Sequence, residues 1–402
     1  VSTYSTLLKT PGVSRIIAAQ LTARFPFGML SLAFLLHVEH VHHSYAAAGL
    51  VLAATSIGQA ISGPLTSRWM GRWAMRPVLT LTLVVCLITM VTFTLYDFSV
   101  PVFMALGFVT GLSVPPVQPA VRTIYPKMVT SNQLTPLFSL DASAQEIIWV
   151  AGPVITTFVG TQIGTREAIW LAAAFLVGGG IWFIASPEVG RVRIPRSKRA
   201  FGKVLARPTV LLATVAGFLL IGACAAVEAG VVALFGEGSA DSGIALAIFA
   251  AGSLVGGLAL GHVPVGPWAL ARRIAIVFVG MTLAIFATGL WPISITLLIA
   301  GVGIAPALAV MFAVVSSSVK FSDTAEAYGW AGTGQLIGSA LGSAIAGFAI
   351  DHVGGQGGLI VAACFALVGT IVGAVFHKAL PDLRGRDASP LPDTEPVPIQ
   401  AS

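Results

Sequence analysis

The chain has 402 residues, of which 56% are hydrophobic and 9% charged, and its formal net charge is +6. Soluble domains carry roughly 25% charged residues, so this much apolar surface excludes a soluble fold and directs the chain into lipid. The positive balance does not mark a nucleic-acid binder, because such a surface needs clustered basic side chains interleaved with aromatics, and here Lys and Arg fall in short stretches between apolar blocks.

The opening VSTYSTLLKTPGVSR lacks a basic stretch followed by an apolar core and a cleavage site, so no removable signal peptide is expected. Apolar runs between polar or Pro/Gly-rich breaks then give twelve spans. Six lie near residues 15–37, 44–66, 77–96, 101–122, 137–160 and 166–186, and six near 208–235, 240–262, 271–290, 293–316, 327–350 and 357–379. At about 20 residues each they read as helices, which alone satisfy their own backbone hydrogen bonds in lipid. The short alternating segments of a β-barrel are not present.

These spans predict an all-α integral membrane protein. Residues 1–187 form one six-helix bundle, 188–207 a basic linker, 208–379 a second bundle, and 380–402 a disordered tail rich in Pro and Asp. With both ends cytoplasmic, all but two of the 22 Lys and Arg residues fall on the inside, the exceptions being Arg24 within span 1 and Arg166 outside. The positive-inside rule therefore orients the chain in the cell membrane. The halves also repeat. A shift of 190 residues lays GLSVPP (Gly111 to Pro116) on GVGIAP (Gly301 to Pro306), Gln145 on Gln335 and Gly152 on Gly342. A shift of 194 lays Gly49, Gly58 and Gly63 on Gly243, Gly252 and Gly257. Parallel six-helix repeats with a binding site near the midplane between them are a known transporter plan.

The residues GPLTSRWMGRWAMRP (63–77), between spans 2 and 3, resemble the signature loop of the major facilitator superfamily, Gly-x-Leu-x-Asp-Arg-x-Gly-Arg-Arg/Lys. Gly63, Leu65, Arg68, Gly71 and Arg72 fit it, whereas Ser67 stands where the family has Asp and one extra residue separates Arg68 from Gly71. Span 11 resembles the family's penultimate helix, and ARFPFGM, AAAGLVLAA and EIIWVAGP are similar to stretches of bacterial transporters in the superfamily. Gly152 and Pro153 keep a dipeptide found in span 5 of proton-driven exporters, without the glycine pair that follows it there. The resemblance implies alternating access, with Gly63, Arg68, Gly71 and Arg72 forming a loop that acts in the conformational change.

Ionisable groups inside spans are costly and usually face a cavity or a partner. Arg24, Glu146 and Glu228 stand out. Helical spacing puts Gln20, Gly28 and Ser31 on the face of Arg24, and Ser139, Ser143 and Trp149 on that of Glu146. In the family's plan spans 1 and 5 are neighbours, so an Arg24–Glu146 ion pair is expected, either as a proton-exchanging and substrate-binding unit or as a structural clamp. Glu228 in span 7 has no basic neighbour in sequence and is a second proton-carrier candidate. Gln20, Arg24, Gln118, Trp149 and Gln335 are the candidate substrate ligands, while Arg122 reads as an interfacial anchor that ends span 4. Pro115, Pro116, Pro119 and Pro306 predict bends in spans 4 and 10.

The run HVEHVHH, with His37, His40, His42 and His43, reads as a solvated loop rather than a metal site. Cys86, Cys224 and Cys364 each lie in an apolar run and read as packing residues. No phosphate-cradling loop, metalloprotease motif or nucleophile elbow is present, which leaves no cofactor and no enzymatic chemistry to expect. The partners expected are a small-molecule substrate, protons and lipid, with the protein a monomer. The leading expectation is a secondary, proton-coupled exporter of a small organic compound, with uptake as the alternative. The orientation is checked by labelling single cysteines in a cysteine-free background: an impermeant reagent applied outside should modify Arg166→Cys and spare Arg196→Cys, and the reverse pattern would invert the topology.

Overall fold

A computed structural model of the protein describes residues 2–236, 239–385 and 388–393. It contains twelve helices long and apolar enough to cross a membrane. Spans 1 to 6 are Val13–His42, Tyr45–Trp73, Met75–Leu95, Val100–Lys127, Ser131–Gln162 and Thr165–Ala185. Spans 7 to 12 are Pro208–Phe235, Ala240–Leu260, Ala269–Phe286, Leu290–Ser318, Phe321–Val353 and Gln356–Val375. A short helix, Ser2–Lys9, precedes them, and Pro187–Arg191 begins the linker between the halves.

Several spans are longer than hydropathy alone predicts. Span 2 continues to Trp73 and turns into span 3 through Ala74, whose φ of 71° ends the helix, so the signature residues Gly63 to Arg72 lie on a helix rather than in a loop. Span 1 likewise runs through His42 and stops at His43, with φ 51°. His37, His40 and His42 are therefore helical rather than in a loop, with His40 and His43 exposed: His37 is fully buried with Nδ1 3.0 Å from Thr165 Oγ1, and His42 Nε2 meets the Phe98 carbonyl at 2.8 Å. No cluster of potential metal ligands occurs among the described residues.

Other spans are interrupted. Span 1 breaks at Phe25–Pro26, span 5 at Gln145 and span 10 at Gly303. Span 4 breaks over Ser113–Pro116, where successive prolines remove backbone donors.

In lipid there is no hydrophobic force to drive helices together, so association rests on close packing of small residues. The repeated glycines supply it. A methyl group on Gly58 would lie 2.3 Å from the Phe108 carbonyl oxygen, and one on Gly111 2.1 Å from that of Thr55. In the second half, Gly252 is opposed by the Leu298 carbonyl at 2.4 Å and Gly301 by that of Phe249 at 2.3 Å. These are the same crossing, span 2 on span 4 and span 8 on span 10. Gly152 against Gly28 and Gly342 against Gly222 repeat a second crossing in the same way.

The seam between the halves follows the repeat too. Span 2 meets span 11, span 4 meets span 11, and span 5 meets spans 8 and 10. A methyl on Gly329 would lie 2.6 Å from the Gly63 oxygen, and one on Gly257 1.8 Å from Ser143 Oγ. Ser139 Oγ donates to the Gly257 carbonyl at 2.6 Å, Tyr4 OH to the same oxygen at 3.0 Å, and Thr333 Oγ1 to the Ala60 carbonyl at 2.7 Å. All of these contacts lie toward the face that carries the N-terminus. Beyond the level of Glu146 and Thr333, no hydrogen bond or ion pair joins the halves among the described residues.

Where it is described, over 380–385 and 388–393, the chain after span 12 packs on the bundle in place of the disorder expected from 380 onward. Leu383 N–H donates to the Val265 carbonyl at 2.9 Å, and Leu391 makes a parallel bridge to Lys320. Phe321 N–H donates to the Leu391 carbonyl and Leu391 N–H donates to the Val319 carbonyl, and Leu380, Leu383 and Ala388 are buried. The expectation for 386–387 and 394–402 falls outside the described residues.

Gly58→Val and Gly252→Val should each lower stability by more than the ~1–3 kcal/mol of ordinary overpacking, because the opposing atom is backbone. Gly49→Ala, with open space around it, should be neutral. Thermal unfolding in detergent checks this, and a tolerated Gly252→Val would remove the argument from symmetry.

Candidate functional site

Among the described residues, and apart from Arg273, which is buried on main-chain carbonyls, two charge systems bear on the candidate residues, and they differ in kind. The first centres on Asp141, which sits one turn before the break in span 5 and is fully buried. Its Oδ1 accepts from Gln20 Nε2 at 2.9 Å, Arg24 Nη1 at 3.4 Å and Tyr125 OH at 3.3 Å, and its Oδ2 accepts from Arg122 Nε at 3.1 Å. Arg24 also donates to Gln20 Oε1 and to Gln145 Oε1, each at 2.8 Å. Gln118 faces Arg122 and, with its amide oxygen turned toward the guanidinium, accepts at 2.5 and 2.8 Å.

The expected Arg24–Glu146 pair is thus not formed. Helical spacing places the two on adjacent spans, but Asp141, five residues nearer the N-terminal face, is the carboxylate that Arg24 reaches. Arg122 is also not an interfacial anchor. It is 2% exposed, bonded to Asp141, with its guanidinium 3.4 Å from the centroid of the Phe312 ring in span 10. Cation–π contact of this sort gains strength when desolvated, and here it ties span 4 to the opposite half. One carboxylate serves two guanidinium groups, and Arg24 Nε remains without a hydrogen-bond partner.

The second system has no cation. Glu146, just past the break in span 5, accepts from Ser253 Oγ of span 8 at 2.9 Å. Glu228 of span 7 is exposed and lies within electrostatic range of Glu146 across the seam. Trp149, one turn beyond Glu146, is exposed, whereas Gln335 is half-buried beside Gly217. The structure therefore gathers Gln20, Arg24 and Gln118 at the Asp141 cluster and places Glu146 and Glu228 in electrostatic reach of each other, whereas no hydrogen bond joins Gln335 to either group among the described residues.

The signature residues lie at the N-terminal face. Arg68 pairs with Glu326 of span 11 at 2.5 Å and donates to the Arg199 carbonyl, while Arg199 pairs with Asp323 at 3.4 Å. Ser67, in the place of the family's Asp, is buried with no hydrogen-bond partner for its hydroxyl. A methyl on Gly71 would meet the Pro195 carbonyl at 3.3 Å, and Arg72 is exposed.

Asp141 and Ser253 are the functional candidates that sequence reading missed. The signal for Asp141 was present, since it lies inside the predicted span 137–160 and meets the same criterion that singled out Glu146. Ser253 is one hydroxyl among many in apolar sequence, with no local signal.

A family model described as Major Facilitator Superfamily matches residues 16–291 and 235–398. No curated protein matches the chain. Similar solved structures include the human organic anion transporter MFSD10, at 15% identity and TM-score 0.72, covering 90% of this chain and 98% of that one. The proton:xylose symporter XylE is similar at 14% identity and TM-score 0.72, covering 94% and 97%. A bacterial homologue of the iron transporter ferroportin in its outward-facing state is similar at 10% identity and TM-score 0.73, covering 91% and 99%.

Breaking a buried ion pair from one side costs about 3–5 kcal/mol. Asp141→Asn strands two guanidinium groups and should reach that range, while Arg24→Met leaves Asp141 paired with Arg122 and should cost less. Chemical or thermal unfolding of both variants decides it. Equal loss in the two would show that Asp141 does not hold the cluster.

Proposed function

Since this chain belongs to the major facilitator superfamily, we propose that it is a proton-coupled exporter of a small organic compound, monomeric in the cell membrane, with both ends cytoplasmic and the outer side open. That it is a membrane transporter, a secondary carrier rather than an enzyme, follows from the family itself. The orientation is supported by the concentration of Lys and Arg at the N-terminal face. The open outer side is supported by the seam, whose polar contacts among the described residues run from that face to the level of Glu146 and Thr333 and no further.

The observation that carries proton coupling is the contrast between the two charge systems. Asp141 has two cations and needs no proton to remain buried. Glu146 has only the Ser253 hydroxyl, at the level where the halves part. A buried charge without a counter-ion is expensive, so closing this seam is easier when Glu146 carries a proton. Opening the cytoplasmic side breaks the Glu146–Ser253 bond and exposes the carboxylate to the cytoplasm. Glu228 takes or returns a proton on the outer side. Substrate and proton then move in opposite directions through one alternating cavity, with Trp149 on its wall and the cationic Arg24–Arg122 cluster available to a polar or anionic group when the inner side opens.

Export rests on the Gly152–Pro153 dipeptide of the exporter-like branches. The similarity to a proton:xylose symporter favours uptake as the second reading, with the same carboxylates and the opposite pairing of fluxes.

In proteoliposomes with an imposed pH gradient and an entrapped pH dye, challenged with a panel of organic cations, anions and sugars, the wild-type protein should couple proton movement to one class. Glu146→Gln should abolish accumulation against the substrate gradient while leaving substrate exchange and thermal stability near wild type. Gradient-driven accumulation that survives this change would remove Glu146 from coupling, and the direction of proton flow separates export from uptake.

A further inference from the structure

A separate cavity of about 510 Å³ lies at the N-terminal face, between the end of span 2 and residues 196–201 of the linker. Five cations line it: Arg68 and Arg72 from span 2, and Arg196, Lys198 and Arg199 from the linker. Two of them are committed, Arg68 to Glu326 and Arg199 to Asp323. Arg72, Arg196 and Lys198 are exposed, and none of them makes an ion pair within 4.0 Å among the described residues. Three like charges therefore converge on one concave space without an anion, and water and salt screen such repulsion only in part over these distances.

The rim of the cavity is aromatic. Trp69 and Phe201 also line it. Trp69 packs on Trp73 with ring centroids 5.2 Å apart, and Phe201 on Trp330 at 5.7 Å. Trp73 and Phe201 are each about half exposed. Tryptophan at a span end belongs at the headgroup level of a bilayer. A soluble phosphate ester would use the cations and leave this rim without a role, whereas a phospholipid engages both.

The geometry points to a binding site for the phosphate of an acidic phospholipid, held by Arg72, Arg196 and Lys198, with its glycerol and upper acyl chain against Trp69 and Phe201. Basic pockets on the cytoplasmic side of membrane proteins take acidic headgroups by this chemistry. The site has a conformational consequence. Arg68 and Arg199 form the same wall and hold Glu326 and Asp323 of span 11 across the seam. An anion among these cations relieves the repulsion around both ion pairs, and so favours the state in which the N-terminal face is closed. None of this depends on the coupling ion or on the direction of transport.

The test is a titration of delipidated, detergent-purified protein with phosphatidylglycerol, read by native mass spectrometry, with phosphatidylcholine as the neutral control. Each cation near an acidic surface contributes about a fivefold gain in binding, so the triple variant Arg72→Gln, Arg196→Gln, Lys198→Gln should bind on the order of a hundredfold more weakly. A control triple at exposed cations outside the cavity, Lys9→Gln, Arg272→Gln and Lys378→Gln, should bind as the wild type does. Equal weakening in both triples would reduce the effect to general surface charge and overturn the site, as would unchanged binding in the cavity triple. Displacement of the lipid by millimolar inorganic phosphate would assign the cavity to soluble phosphate and overturn the lipid reading. Thermal unfolding of both triples, expected to match wild type in neutral detergent, separates lost binding from lost fold.

Discussion

Two helices can cross at backbone distance only where neither presents a side chain, and nearly everything in this molecule depends on such crossings. Gly58 with Gly111 and Gly28 with Gly152 set the packing of the first six spans, while Gly252 with Gly301 and Gly222 with Gly342 set that of the last six. The seam between the halves uses the same device at Gly63 with Gly329, while at Gly257 the missing side chain leaves room for Ser143, and Ser139 bonds to the Gly257 carbonyl. Because packing rather than water expulsion holds helices together in lipid, a glycine here contributes more than a large apolar residue would. Hydroxyls at the seam bond to carbonyls exposed by the close approach. Such contacts can break and re-form without leaving a large void, as an interface that opens and closes requires.

The two charge systems divide the labour. The Asp141 cluster is cross-braced, with spans 1, 4 and 5 meeting at one carboxylate and Phe312 of the opposite half covering Arg122. It holds its geometry by electrostatics and carries one cation in excess of its anion. The Glu146–Glu228 system has the reverse character, with two carboxylates, no cation and a single neutral hydrogen-bond donor. On the proton-coupled reading proposed above, a proton is the smallest charge that resolves that imbalance, and the two systems are held by different partners, so that one can stay fixed while the other changes charge.

The parts legible in the sequence are those in which local composition dictates structure. Hydropathy located all twelve spans, and the spacing of Gly58, Gly111, Gly252 and Gly301 disclosed the repeat, because glycine at a crossing leaves its mark on the chain itself. Proline runs marked the interruption of span 4. What stayed hidden were pairings between distant residues. Arg24 and Asp141 are 117 positions apart, and helical periodicity gives the face of each without saying which carboxylate of span 5 lies at the right depth. Ser253 is chemically unremarkable until Glu146 is placed beside it. The extension of span 2 to Trp73 was obscured because Arg68 and Arg72 read as loop residues by polarity, although they sit at a helix end where Arg72 is exposed and Arg68 is paired with Glu326.

The bridge between Leu391 and Lys320 moves the point from which the last described residues leave the bundle. Span 12 ends at Val375, away from the seam, yet the chain returns to hydrogen-bond with Phe321 N–H and Val319 C=O, and Asp393 accepts from the main chain of Ser322. Those residues begin span 11, the span whose Asp323 and Glu326 are gripped by Arg199 and Arg68. Asp393 is therefore held beside the start of span 11 instead of at the perimeter, and a bulky domain fused after it would crowd the ion pairs that join the two halves.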